Sequence, residues 1–387
     1  MNLDAWAYEQ LLGLRQAGTQ RQYTPVTIDG PWATVDEERR LNFASNDYLG
    51  IASDPIIRQH FHSEAHFSAS SARLQTGTHP EHLALEHQAS LWWGRPVLSM
   101  GSGWHANVGV LSTLANRDTT VYTDRLVHAS ILDGIRLSGA HLRRYRHNDL
   151  DHLAELLATH SPNDRVMVVT ESIFSMDGDE VDLAKWVEIT KIYPHVITVV
   201  DEAHAVGVTG PRGRGVAARE GVSNHIDVLI APLGKAMASV GSFVGCSEPV
   251  KDLLISTTRS FLFSTALPPI QAAWTGYALD IVSRADDRRG ALTENQHLLA
   301  NGIQSVTGQD TSRCTHIIPI LVGENTKAKH LASRLQALGW QVMAIVPPTV
   351  PERTSRVRLS VRADMPTAAI HEFLNDLREL WTDQTLT

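Results

Sequence analysis

Apolar positions follow two different periods along the chain. At the N-terminus Leu3, Trp6, Ala7, Leu11 and Leu14 recur at helical spacing, which predicts an amphipathic helix. A polar stretch over Arg15–Gln22 leads into short apolar runs between Val26 and Phe43. Beyond Asn46, short β-rich runs at Val97–Met100, Thr120–Thr123, Val166–Thr170, Val196–Val200 and Val228–Ala231 alternate with helical patterns such as Ala106–Leu114, Asp149–Ala158 and Leu183–Tyr193. Strands alternating with helices predict βαβ units and a mostly parallel central sheet. Long helical patterns then fill Pro268–Val306. A strand at His316–Val322, a helix at Thr326–Leu338, strands near Val342–Ile345 and Arg356–Val361 and a helix at Thr367–Trp381 predict a smaller C-terminal α+β domain.

Composition narrows the class. At 387 residues the chain is long enough for two or three domains, and 43% hydrophobic with 20% charged residues excludes a disordered or collagen-like protein. A net charge of −8 gives no global attraction for nucleic acid or an anionic membrane, so neither is expected as a partner. Cys246 and Cys314 lie far apart in sequence and form no CxxC clamp or disulfide framework, which suits a reducing cytoplasm. The N-terminus has acids at Asp4 and Glu9 and no apolar core of a secretory signal. Apolar stretches such as Ile317–Val322 fall far short of the ~20 residues that span a bilayer. The 19 histidines are scattered, without an HExxH or a His-rich tract, so no metal site is expected.

Candidate chemistry sits at strand ends. The run Val199–His204 delivers Asp201, Glu202 and His204 at the C-terminal end of an apolar strand, where open α/β sheets bind ligands. The next strand leads into Gly234-Lys235 among small and apolar residues. Desolvation there lowers a lysine pKa and frees the amine as a nucleophile. Taken singly, each has a plain structural alternative: a capping acid, an exposed lysine. Together, a strand-end carboxylate and a lysine after the neighbouring strand are what pyridoxal 5′-phosphate requires, the lysine for its aldehyde and the acid for its ring nitrogen. Gly101-Ser102-Gly103-Trp104 joins a strand to a helix whose first amides suit a phosphate. Val127-His128-Ala129-Ser130 and Glu171–Asp179 follow two further strands, offering an imidazole and hydroxyl donors. Arg358, in the strand after the rigid Pro347–Pro351 element, has the fork that clamps a carboxylate.

From about Asn42 to Leu377 these motifs resemble the α-oxoamine synthase family of type I pyridoxal phosphate enzymes. The resemblance is carried by Ser45–Gly50, Phe174–Asp179, Asp201–His204, Gly234-Lys235 and Pro347–Pro351 with Arg358. It implies the aspartate aminotransferase-like fold, with an N-terminal helix and arm over 1–45, a large cofactor domain over 46–285 and a small domain over 286–387. By the same resemblance Lys235 is the Schiff-base lysine and Asp201 the partner of the ring nitrogen. His204 and Ser175 bond the phenolate oxygen, His128 stacks on the ring, and Gly103 and Trp104 lie by the cofactor. Ser264 and Thr265 reach the phosphate of the partner subunit's site in a homodimer. Arg358 holds the amino-acid carboxylate, and Arg21, Asn46 and Thr349 line the substrate side. The implied activity is decarboxylative acyl transfer from a thioester to an amino acid. The match is closest to the branch that joins L-alanine to pimeloyl-CoA or a pimeloyl carrier protein in biotin synthesis. Three departures stand out: Pro232 replaces a phosphate-binding hydroxyl, Val346 replaces an arginine, and Ser68–Ala72 replaces a Gly-rich stretch. The last is shared with aminoketone autoinducer synthases of the same family, which keeps another amino acid or acyl thioester open.

Overall fold

The computed structural model describes residues 2–21 and 23–382. The chain divides into two compact units, one formed by 1–53, 176–178 and 290–387, the other by 54–175 and 179–289.

In the first unit β1 (Thr27–Asp29), β2 (Trp32–Val35) and β3 (Glu38–Asn42) form an antiparallel meander. In the second, one seven-stranded sheet comprises β4 (Val97–Met100), β5 (Thr119–Asp124), β6 (His141–Tyr145), β7 (Arg165–Glu171), β8 (Val196–Asp201), β9 (Val228–Pro232) and β10 (Ser242–Gly245) in the order β4-β10-β9-β8-β7-β5-β6. β5 to β9 pair in parallel, while β10 runs antiparallel to both β4 and β9. The expected mostly parallel α/β sheet is therefore present. β7 is buried at all but its first residue, and such continuous apolar runs are what a parallel sheet covered on both faces requires. Register sets the site: Glu171 pairs with Asp201, and Asp201 with Ile230, so the C-terminal ends of β7, β8 and β9 lie level.

The first unit is completed by β11 (Ile317–Gly323), β12 (Trp340–Gln341), β13 (Met343–Ile345) and β14 (Ser355–Ser360). β12 adds in parallel to β3, and β11-β14-β13 form an antiparallel sheet. The helix Thr367–Trp381 buries Ile370, Phe373, Leu374 and Leu377.

The periodic patterns were legible; their interruptions were less so. The helical stretch over 268–306 is two helices, Pro269–Ser283 and Asp286–Thr307, separated at Arg284 and Ala285. β6 and β10 had no expected counterpart: β6 is a mostly exposed edge strand reading His-Leu-Arg-Arg-Tyr, and β10 has only four residues. The arginines of β14 do share a face, but the strand is wholly buried. Arg356 meets this cost by an ion pair with Asp177.

Candidate active site

β8 ends in Asp201, which is only 3% exposed. Its Oδ2 accepts from Asn107 Nδ2 at 2.7 Å and its Oδ1 from the Ala203 N–H at 2.9 Å. Both oxygens of this buried carboxylate are thus held by neutral donors. Asn107 also donates to Ser130 Oγ at 3.0 Å, and that hydroxyl lies 2.7 Å from His128 Nδ1. His128 caps the helix Ala129–Ser138. Burial lowers its pKa, Asp201 opposes this and Lys235 reinforces it, so the ring is neutral at neutral pH. Its edge meets Trp104, with centroids 6.0 Å apart.

Glu171, at the end of β7, is 2% exposed and accepts the His128 N–H at 2.6 Å. Burial, then the Asp201 charge, pushes its carboxyl well above the usual range, while Lys235 pulls the other way. The same two groups thus act on both His128 and Glu171, which places Lys235 and Asp201 in one electrostatic neighbourhood. Lys235 is half-buried in the turn after β9, where the Leu233 N–H bonds Gly241 and the Ala238 N–H bonds Lys235. Glu202, which follows Asp201 in the chain, serves the fold: fully buried, it accepts from Ser172 Oγ and from the N–H groups of Val216 and Ala217. His204 is buried and Ser175 half-buried.

The helix Gly103–Leu114 starts beside this cluster's Asn107. Ser102 Oγ takes the His105 N–H at 3.1 Å, and a Cβ on Gly103 would stand 2.6 Å from the Pro232 ring. Pro232 therefore packs against the helix start instead of presenting a hydroxyl. Ser264 and Thr265 line, with Gly101 and His105, a cavity of about 250 Å³ that none of the residues bonded to Asp201 reaches.

In the other unit, Arg358 donates to Ser360 Oγ at 2.7 Å and to Asn46 Oδ1 at 3.3 Å. The Tyr48 hydroxyl donates to the same Asn46 oxygen at 3.0 Å, and burial drives that phenol up to about 12 despite Arg358. Arg21 donates to Thr349 Oγ1 at 2.9 Å. The four substrate-side candidates thus form two bonded pairs within one unit.

A profile of class I and II aminotransferases matches residues 38–377. An 8-amino-7-oxononanoate synthase from Haemophilus ducreyi is 38% identical over 376 residues, 94% of this chain and 97% of that protein. The chain belongs to the α-oxoamine synthase family. Among solved structures of this family, a serine palmitoyltransferase from S. paucimobilis, bound to PLP and myriocin, superposes with a TM-score of 0.89 at 25% identity over 98% of each chain. An 8-amino-7-oxononanoate synthase from Francisella tularensis gives 0.75 at 26% identity, over 88% of this chain and 97% of that one. Like its family, the chain is a type I, PLP-dependent acyltransferase. The residues present suit that cofactor: a buried carboxylate, an amine in its field, and a helix start with glycine at its first position.

Glu171, Asn107 and Tyr48 had no assigned role in the sequence. Glu171 opens the Glu171–Asp179 run and Asn107 falls in the Ala106–Leu114 helical pattern; strand pairing brings the first to Asp201, and the helix Gly103–Leu114 carries the second to it. Tyr48 likewise stood inside Ser45–Gly50, and the fold turns it onto Asn46. Among the described residues no helix is long and apolar enough to cross a membrane.

Proposed function

We propose that the chain catalyses the 8-amino-7-oxononanoate synthase reaction: L-alanine and a pimeloyl thioester condense to 8-amino-7-oxononanoate, carbon dioxide and the free thiol carrier, for biotin synthesis in the cytoplasm. The observation that carries this reading is the 38% identity to a synthase of that name across 94% of the chain. Pyridoxal phosphate, when bound, supplies an aldehyde for the substrate amine and a ring that accepts the electron pair left on Cα.

The protein's own groups supply the rest. Lys235 would hold the cofactor, and its Nζ, once freed, would take the Cα proton of alanine and later return one. Asp201 keeps a proton on the ring nitrogen. Ser175 and His204 bond the phenolate oxygen. His128, neutral by burial, would stack on the ring and donate to the thioester carbonyl oxygen as negative charge develops there. Arg358 clamps the alanine carboxylate, with Asn46, Arg21 and Thr349 beside it. Gly103 and Trp104 flank the phosphate end.

The site is completed in a homodimer, where Ser264 and Thr265 reach the partner's phosphate. Two features support an unsatisfied surface: the helix Leu3–Gln16 has no buried residue, and Phe263, next to Ser264, is 74% exposed.

Thiol release measured with alanine, glycine, serine and 2-aminobutyrate against pimeloyl-CoA, a pimeloyl carrier protein and longer acyl thioesters tests the reading. Alanine with a pimeloyl thioester is expected to be the fastest pair. Preference for another amino acid or a longer chain would reassign the protein to an aminoketone synthase, the outcome Val346 and Ser68–Ala72 allow. Lys235→Ala should abolish both turnover and the visible absorbance of the bound cofactor.

A further inference from the structure

At the end of β5 lies a second ionic cluster with no part in the chemistry above. His147 follows β6, and its ring lies between two carboxylates. Nδ1 is 2.9 Å from Asp124 Oδ1, and Nε2 is 2.9 Å from Asp179 Oδ2. Ionised carboxylates only accept hydrogen bonds, so a ring satisfied at both nitrogens carries both protons and a positive charge. Asp124, fully buried, ends β5; Asp179 belongs to the loop after β7. Asn148 ties the same two groups, giving its N–H to Asp124 Oδ2 and its Nδ2 to Asp179 Oδ2.

Each carboxylate continues into the proposed cofactor site. Asp124 Oδ1 accepts the Leu126 N–H at 2.8 Å, two residues before His128. The Asp179 carbonyl accepts the Phe174 N–H at 2.9 Å, one residue before Ser175. The Phe174 ring stands edge-on to His147, with centroids 4.5 Å apart. We propose that His147 is a positioning residue: as an imidazolium bridging Asp124 and Asp179, it locks together the two loops that present His128 and Ser175. The proposal rests on the cofactor reading of those two residues.

The other charged or titratable groups around it are Glu171 and Tyr145, both feeling the Asp124 charge, and the exposed Arg146–Asp149 pair. Burial by itself pulls His147 down, but the two carboxylates override it and push its pKa up to about 10. A histidine raised in the folded state stabilises fully below its unfolded value of about 6.5 and loses that contribution as pH rises through about 10. The lock therefore opens only in strong alkali.

The test titrates histidine-labelled, cofactor-free protein by NMR and measures PLP affinity and kcat against pH for the wild type, His147→Gln and Asp179→Asn. The wild-type ring should stay charged past pH 9, consistent with the value of about 10. Asp179→Asn removes one carboxylate and should lower both the ring titration and the alkaline fall in PLP affinity by roughly one to three pH units. His147→Gln should lose on the order of 100-fold in kcat, with the alanine KM little changed, as misplaced groups do. A ring neutral at pH 8, or Asp179→Asn with an unmoved alkaline limb, overturns the proposal even if His147→Gln fails to fold. Failure of the wild type to bind PLP would instead overturn the cofactor reading, and the ring titration still judges the charge on His147.

Discussion

At the residue scale, strand register sets two acids side by side. Glu171 and Asp201 are paired positions on adjacent strands, and both are buried. Two ionised carboxylates so placed repel, so the one with less compensation keeps its proton. That is Glu171, whose carboxyl is raised by burial and by Asp201. Its protonation contributes stability that is fully present below the ordinary carboxyl pKa and is lost as pH rises through its elevated folded value. Glu171→Gln preserves the acceptor for the His128 N–H and removes the titration. Thermal melts from pH 5 to 9 should show the variant gaining on the wild type as pH rises; a constant difference would contradict the assignment.

At the element scale, the helix Gly103–Leu114 is aimed by its first residue. Gly103 is needed because the Pro232 ring occupies the space a side chain would take. Gly103→Ala should cost about 1–3 kcal/mol of overpacking, measurable by urea unfolding. If the phosphate meets this helix start, the variant should also narrow the affinity gap between pyridoxal phosphate and pyridoxal. An unchanged gap would place the phosphate elsewhere. Strands β7 to β9 were legible as apolar runs because both of their faces are buried. β10 was not, since it reads Ser-Phe-Val-Gly with only two apolar residues between a serine and a glycine, yet its pairing with β9 at Ser242↔Pro232 anchors the turn that carries Lys235.

At the scale of the whole molecule, the proposed dimer has a specific consequence. If Ser264 and Thr265 serve the partner's site, Lys235→Ala and Ser264→Ala/Thr265→Ala proteins are each weak at limiting cofactor. Mixed and reassociated, they should recover up to about a quarter of wild-type activity, because each mixed dimer holds one intact site. No recovery would mean that the two hydroxyls act within their own subunit, and light scattering on the wild type checks that dimers exist.

What the sequence by itself determined is the order of alternating strands and helices and the reactive residues at their ends. Apolar periodicity and motif spacing are local properties of the chain, so Asp201, His128 and Lys235 were legible as candidates. Only tertiary structure decided which neighbours tune them. Glu171 reaches Asp201 through strand pairing, Asn107 reaches it across 94 residues of chain, and His147 meets Asp124 and Asp179 at separations of 23 and 32. Protonation follows from such encounters, because burial and the nearest charge set it, and neither is encoded in the residues beside a group along the chain.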